Sequence, residues 1–157
     1  MNETGNVVLV DDEEMVLTSI GSFLMLETDY NVHKFLSAKE ALAFIQENDV
    51  DLVISDYLMP EMDGIQFLGQ VKKHRPEITR IILTGYADKE NAIKAINDVG
   101  LFQYIEKPWD NENLRIIIRN GLEKKLLLKQ LQEKIAQINN AYSELQSIQQ
   151  EVLKTFV

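Results

Sequence analysis

The chain contains no cysteine in 157 residues, which excludes a disulfide, a thiolate zinc site and a cysteine nucleophile. No apolar run approaches the roughly 18 residues of a membrane span. Residues 1–6 are polar and lack the apolar stretch of a signal peptide. A soluble cytoplasmic protein with no membrane contact is the expectation. Positive charge is also scarce: 16 Lys and Arg against 25 Asp and Glu give −9. Residues 122–157 carry five Lys and four Glu, a net of +1, so −10 falls on residues 1–121. No basic stripe of the kind that tracks a nucleic-acid backbone is present, and direct nucleic-acid binding is not expected. Proline and glycine are absent throughout residues 122–157.

What is present begins with two apolar runs that each end in acid. Val7-Val8-Leu9-Val10 is followed by Asp11-Asp12, and Leu52-Val53-Ile54-Ser55 by Asp56. Continuous apolar runs of this length read as strands buried on both faces, the mark of a parallel sheet. The acids therefore lie just past strand C-termini. If the strands are neighbours, three negative charges meet at one sheet edge, which is costly unless a cation or a proton relieves them. An all-oxygen cluster with no His or Cys nearby suits a hard ion such as Mg2+. Thr84 follows Arg80-Ile81-Ile82-Leu83, and Lys107 follows Gln103-Tyr104-Ile105-Glu106. Acid, hydroxyl and ammonium at successive strand ends make a site suited to a phosphoryl group.

Strand-like and helix-like segments alternate to about residue 121. Helical spacing covers residues 13–26, and residues 30–35 read as a second strand. Ser37 and Glu40 form a capping-box pattern ahead of a second helix. Residues 50–55 form the third strand, and residues 64–74 a helix stopped before Pro76. Residues 81–84 form the fourth strand. Asp88 is placed to cap a helix ending at Gly100, residues 102–106 form the fifth strand, and Asp110 caps the last helix. Five βα units in this order imply an α/β, doubly wound parallel sheet with right-handed crossovers and helices on both faces. Ligands bind such sheets beyond the strand C-termini, where the polar groups above lie.

The tail follows a seven-residue rule. Leu128, Ile135, Tyr142, Gln149 and Phe156 form one series, and Leu131, Ile138, Leu145 and Val152 the other, as in the a/d seam of a coiled coil. A helix over residues 111–155 extends about 65 Å at ~1.5 Å per residue. Packing on the core accounts for Leu114, Ile117, Ile118 and Leu122 but not for four further heptads. A homodimer through residues 128–156 is the expectation.

These residues resemble the receiver domain of two-component response regulators over about residues 6–121. The matching motifs are the Asp11-Asp12 pair, the segment Asp56-Tyr57-Leu58-Met59-Pro60-Glu61-Met62-Asp63-Gly64, Thr84-Gly85, and Tyr104-Ile105-Glu106-Lys107-Pro108. The resemblance implies a flavodoxin-like sheet of order 2-1-3-4-5, a phospho-receiver over residues 1–121, and a coiled-coil helix over 122–157 continuing the last receiver helix. It makes Asp56 the phosphoacceptor, supplied by a histidine kinase or phosphotransfer protein. It makes Asp11, Asp12, Asp56 and the backbone carbonyl of Leu58 the protein's share of a Mg2+ sphere. It places Thr84 and Lys107 against phosphoryl oxygens, pairs Thr84 with Tyr104 as the switch, and implies a cis Lys107–Pro108 bond.

Taken singly these residues are ordinary. An Asp-Asp pair is commonly a solvated turn, Asp56 a strand-end acid, Thr84 a β-former and Lys107 a surface lysine. Gly64 has a bland reading as a reliever of backbone strain. Met59, Met62 and Trp109 read as packing, and His33 and His74 fall outside the cluster. Joint spacing on one sheet edge is what singles out the site. The chain then reads as a non-enzymatic phosphoacceptor that signals through a dimerising helix. The alternative is the regulatory part of a larger enzyme, such as a cyclic-di-GMP phosphodiesterase, with an output domain beyond Val157, where the heptad pattern stops without a cap.

Overall fold

Asn6–Val10 (β1) and Leu52–Asp56 (β3) lie side by side in parallel, with Val10 opposite Ser55. In the computed structural model, which describes residues 4–156, they form the centre of a five-stranded parallel sheet. Asn31–Phe35 (β2) pairs with the free edge of β1, Thr79–Thr84 (β4) with β3, and Gln103–Glu106 (β5) with β4. The strand order is 2-1-3-4-5. Between the strands run Glu14–Glu27 (α1), Ala38–Glu47 (α2), Gly64–His74 (α3) and Lys89–Val99 (α4), and Asn111–Phe156 (α5) closes the series.

Burial follows strand position. All residues of β3 and β4 are buried, as the apolar runs require, whereas edge strand β2 has none. Two apolar layers flank the sheet. Val8, Val53 and Ile82 pack with α2, α3 and α4 on one face, while Leu9, Ile54, Leu83 and Ile105 pack with α1 and the root of α5 on the other. Alternate strand residues point to opposite faces, which separates the layers. Met59 and Met62 pack against the first layer and Trp109 against the second.

Several helix ends differ from the expected chemistry. Asp88 makes no side-chain cap; a 3-10 turn over Tyr86–Asp88 leads into α4 in its place. The Ser37 hydroxyl accepts from the Glu40 amide at 3.5 Å, but the full reciprocal box is at Asp63 and Gln66, at the start of α3. Asp110 does cap α5, accepting from the Asn113 amide at 3.3 Å. Gly100 ends α4 at φ 64°, a left-handed conformation that favours glycine.

The chain divides into two compact units, Met1–Lys125 and Leu126–Val157. The first extends past residue 121 for a physical reason. Leu122 packs against the second apolar layer, and the Lys125 ammonium reaches Asp51 at 2.5 Å and the Val50 carbonyl at 3.4 Å. Leu126 to Thr155 is helical and exposed at every position. The Phe156 side chain and Val157 lie outside the described residues.

Arg80 is a charge buried in β4. Its guanidinium donates to the carbonyls of Pro76, Ile78, Val99 and Gly100 at 2.9–3.1 Å. Two of these carbonyls belong to the α4 terminus, so one side chain ties that helix end to the sheet. Burial lowers the Arg80 pKa, yet carbonyl dipoles still satisfy its N–H groups. Arg80→Met is expected to cost about 2–4 kcal/mol in urea unfolding and to speed amide exchange at the end of α4. Unchanged exchange there would remove the anchoring role.

Candidate functional site

The strand register assembles the polar groups. Asp56 is the last residue of β3, within the strand and not past it, and Thr84 is the last of β4. Beyond the strands, the Tyr57 amide donates to the Leu83 carbonyl and the Lys107 amide to the Thr84 carbonyl, both at 2.9 Å. Central strand β4 thus holds the start of the β3–α3 loop on one side and the β5–α5 loop on the other. The Asp11 amide donates to the Phe35 carbonyl at 3.1 Å and fixes the end of β1 in the same way. The Lys107–Pro108 peptide is cis.

These constraints bring Asp11, Asp12 and Asp56 together, with one oxygen from each lying within 4.8 Å of the others. Asp11 and Asp56 are buried and Asp12 is exposed. The Lys107 ammonium stands 2.8 Å from Asp56 Oδ1 and 3.3 Å from Asp11 Oδ2. The Lys107 ammonium therefore faces two of the three clustered carboxylates. Burial pushes the Asp11 carboxyl up to about 6, against the Glu13 amide that donates to it at 2.9 Å. Burial likewise raises Asp56, although the Lys107 hydrogen bond pulls the other way. Burial disfavours the Lys107 charge too, but its bond to Asp56 and the charges of both acids outweigh this and raise it overall. An excess of negative charge, oxygen-only donors and one exposed carboxylate fit a divalent hard cation.

Gly64 owes its place to space, not strain. Its φ is not positive, yet a Cβ there would come 2.2 Å from the Asp56 carbonyl oxygen. The Gly64 amide donates to the Tyr57 carbonyl at 2.8 Å, folding the loop that contains Leu58 back on the end of β3. Within that loop the backbone of Glu61 is left-handed, at φ 68°.

Thr84 is fully buried and its hydroxyl donates to the Gly85 carbonyl at 3.2 Å. Tyr104 is half-buried against the α4-side layer. Sequence reasoning missed the group that covers it: the Lys89 ammonium lies 5.8 Å over the Tyr104 ring and 3.3 Å from Glu106. The hydrogen bond to Glu106 raises the Lys89 pKa. Its signal is a lysine at a helix N-terminus, where the dipole opposes positive charge. His33 stacks on Phe44 at 4.7 Å, in packing on the edge strand.

A model of the response regulator receiver domain matches residues 7–119. This chain belongs to that family. It is 34% identical over 122 residues to the hydrogenase transcriptional regulatory protein HoxA of Cupriavidus necator, covering 78% of this chain and 25% of that protein. The chain thus spans about a quarter of that curated relative. A response regulator receiver domain from Clostridium thermocellum superposes with a TM-score of 0.75 at 36% identity, over 79% of this chain and 98% of that one. The receiver domain of an HD domain-containing protein from Pseudomonas fluorescens gives 0.73 at 35% identity, over 78% and 97%. Among the described residues no helix is long and apolar enough to cross a membrane.

The raised Asp11 carboxyl has a definite sign. The folded state holds that proton more tightly than the unfolded chain, so its contribution is complete below the ordinary value of 3.8 and is lost as pH rises through about 6. In metal-free buffer the protein is expected to lose on the order of 1–3 kcal/mol between pH 4.5 and 7.5 relative to Asp11→Asn, read by urea unfolding. Millimolar Mg2+ should flatten the difference. Parallel profiles for the two proteins would mean that Asp11 carries no such strain.

Proposed function

We propose that Asp56 accepts a phosphoryl group from a histidine kinase or phosphotransfer protein, and that the dimerised tail passes on the change. The observation that carries this reading is the Lys107 ammonium at 2.8 Å from one Asp56 oxygen, inside a cluster with net negative charge. In the proposed transfer an Asp56 oxygen attacks phosphorus, an O–P bond forms, and the P–N bond to the donor imidazole breaks. Asp11, Asp12, Asp56 and the Leu58 carbonyl would hold Mg2+. When bound, the ion would counter charge on the transferring oxygens. Lys107 supplies a second positive charge, fixed in place before transfer.

Thr84 and Tyr104 form the proposed switch. Among the described residues the Thr84 hydroxyl bonds to the neighbouring carbonyl, so rotating toward a phosphoryl oxygen exchanges one acceptor for another. Space left by that rotation would admit the Tyr104 ring, changing the surface of α4 and β5. Such a change signals only through an element with two states.

The chain would act as a phosphoacceptor, with residues 1–121 as receiver and residues 122–157 as output helix, the first turn of which, through Lys125, packs with the receiver. A full-length protein could couple it to a transcriptional regulator or to an enzyme. The likeness to the receiver of an HD domain-containing protein favours keeping the second choice, including a cyclic-di-GMP phosphodiesterase. A cytoplasmic location accords with a kinase partner.

Incubation with Mg2+ and acetyl phosphate is expected to add one base-labile phosphate per chain. Asp56→Asn should abolish it, and Lys107→Ala should slow labelling at least tenfold. Stoichiometric labelling of Asp56→Asn, read by intact mass, would move the acceptor elsewhere. For the tail, Ile138→Lys with Leu145→Lys is expected to give monomers by light scattering while Asp56 still labels. A dimer that persists would place the interface on the receiver.

A further inference from the structure

The tail offers two apolar edges where a strict heptad needs one. Leu131, Ile138, Leu145 and Val152 form a central column, each residue seven from the next. On one side lie Leu128, Ile135, Tyr142 and Gln149; on the other lie Leu127, Lys134, Ala141 and Ile148. Before Ile138 the first side is aliphatic and the second contains an ammonium group. After Ile138 the first side presents a phenol and an amide, and the second Ala141 and Ile148. Ile148 is 59% exposed, yet the strict heptad leaves it beside the seam.

Resting on the tail pairing proposed above, we propose that two copies of this helix pair in parallel along the first side up to Ile138 and along the second side beyond it. Ile148 then meets its own copy, and Gln149 moves to the flank. The exposed heptad columns favour a second copy as the occupant, and a symmetric parallel pair then sets each residue against itself. Continuing the second side upward would bring two Lys134 ammonium groups together. Continuing the first side downward would bury two Gln149 amides. The crossed path puts neither in the interface.

The crossed path also gives Gln149 a polar neighbour. With Leu145 and Ile148 at the core, Glu144 and Gln149 fall five residues apart at the two flanking positions that face each other across a parallel pair. The Gln149 amide can donate to Glu144 of the partner subunit. The change of side is a run of two three-residue steps, from Ile135 to Ile138 to Ala141, which overwinds a coiled coil locally. Ala141, the smallest residue on either side, stands at the step where the helices close in. Each helix turns by about 50° across it at 3.5 residues per turn.

Because the chain has no cysteine, single cysteines report the interface directly. Ile135→Cys, Ile148→Cys and Gln149→Cys in the full chain would each be oxidised with copper phenanthroline and followed on non-reducing gels. The first two are expected to give covalent dimers quickly, and Gln149→Cys at least fivefold more slowly. If Ile135→Cys cross-links but Gln149→Cys matches or exceeds Ile148→Cys, the strict heptad continues and the crossed seam is wrong, with pairing intact. If Ile135→Cys fails to cross-link and light scattering gives monomers, the pairing itself falls. Ile148→Ser should also raise the dimer dissociation constant at least tenfold and Gln149→Leu change it less than threefold. The opposite order would overturn the crossed seam.

Discussion

The C-terminal edge of the sheet is built around three clustered carboxylates, two of them held against one ammonium. Two of the acids are buried, and Lys107 cannot balance them all, so the folded chain retains charge that it would relieve by taking up a proton or a cation. Local strand geometry alone would let these groups drift apart. Rigid backbone prevents this: β4 accepts hydrogen bonds from Tyr57 on one side and Lys107 on the other, and Gly64 allows α3 to begin against the Asp56 carbonyl. A site whose charges repel needs such external fixing, because its own interactions would open it.

The central strands were legible because parallel strands buried on both faces leave an unbroken apolar run. The first acid after such a run marks the edge of the sheet, which is why Asp11, Asp12 and Asp56 stood out. The 2-1-3-4-5 order came from family resemblance, since no property of the single sequence sets which strand lies beside which. Contacts between distant positions were not legible. In the sequence Arg80 is just the first residue of the run before Thr84, and only the fold brings the α4 carbonyls to its guanidinium. Lys125 reads as part of the tail until Asp51, 74 positions away, is found beside it. Gly64 was read as conformational relief, whereas a close approach of two backbone segments explains it.

Strand β5 connects the two faces of the sheet. Its neighbours Tyr104 and Ile105 point to opposite layers, the first toward α4 and the second toward the root of α5. The next residue, Glu106, holds Lys89 of α4 and lies opposite Thr84 in register; the one after is Lys107. Four consecutive residues therefore reach the α4 side, the α5 side and the charged cluster.

Such an arrangement limits how a phosphoryl group on Asp56 could act under the proposed function. A shift of the β5 end that draws Thr84 and Lys107 inward cannot leave one layer untouched, because interiors are too closely packed to absorb displacement on one side only. On the α4 side the contacts are a half-buried ring and an exposed ion pair, which yield at little cost. On the α5 side Leu114, Ile117 and Ile118 are buried among strand residues, and α5 can respond only as a helix. The α4 surface is thus suited to local rearrangement and the root of α5 to movement of a whole element. The helix that begins at this root, which has no Pro or Gly after Gly121, is the element on which the second kind of movement would act.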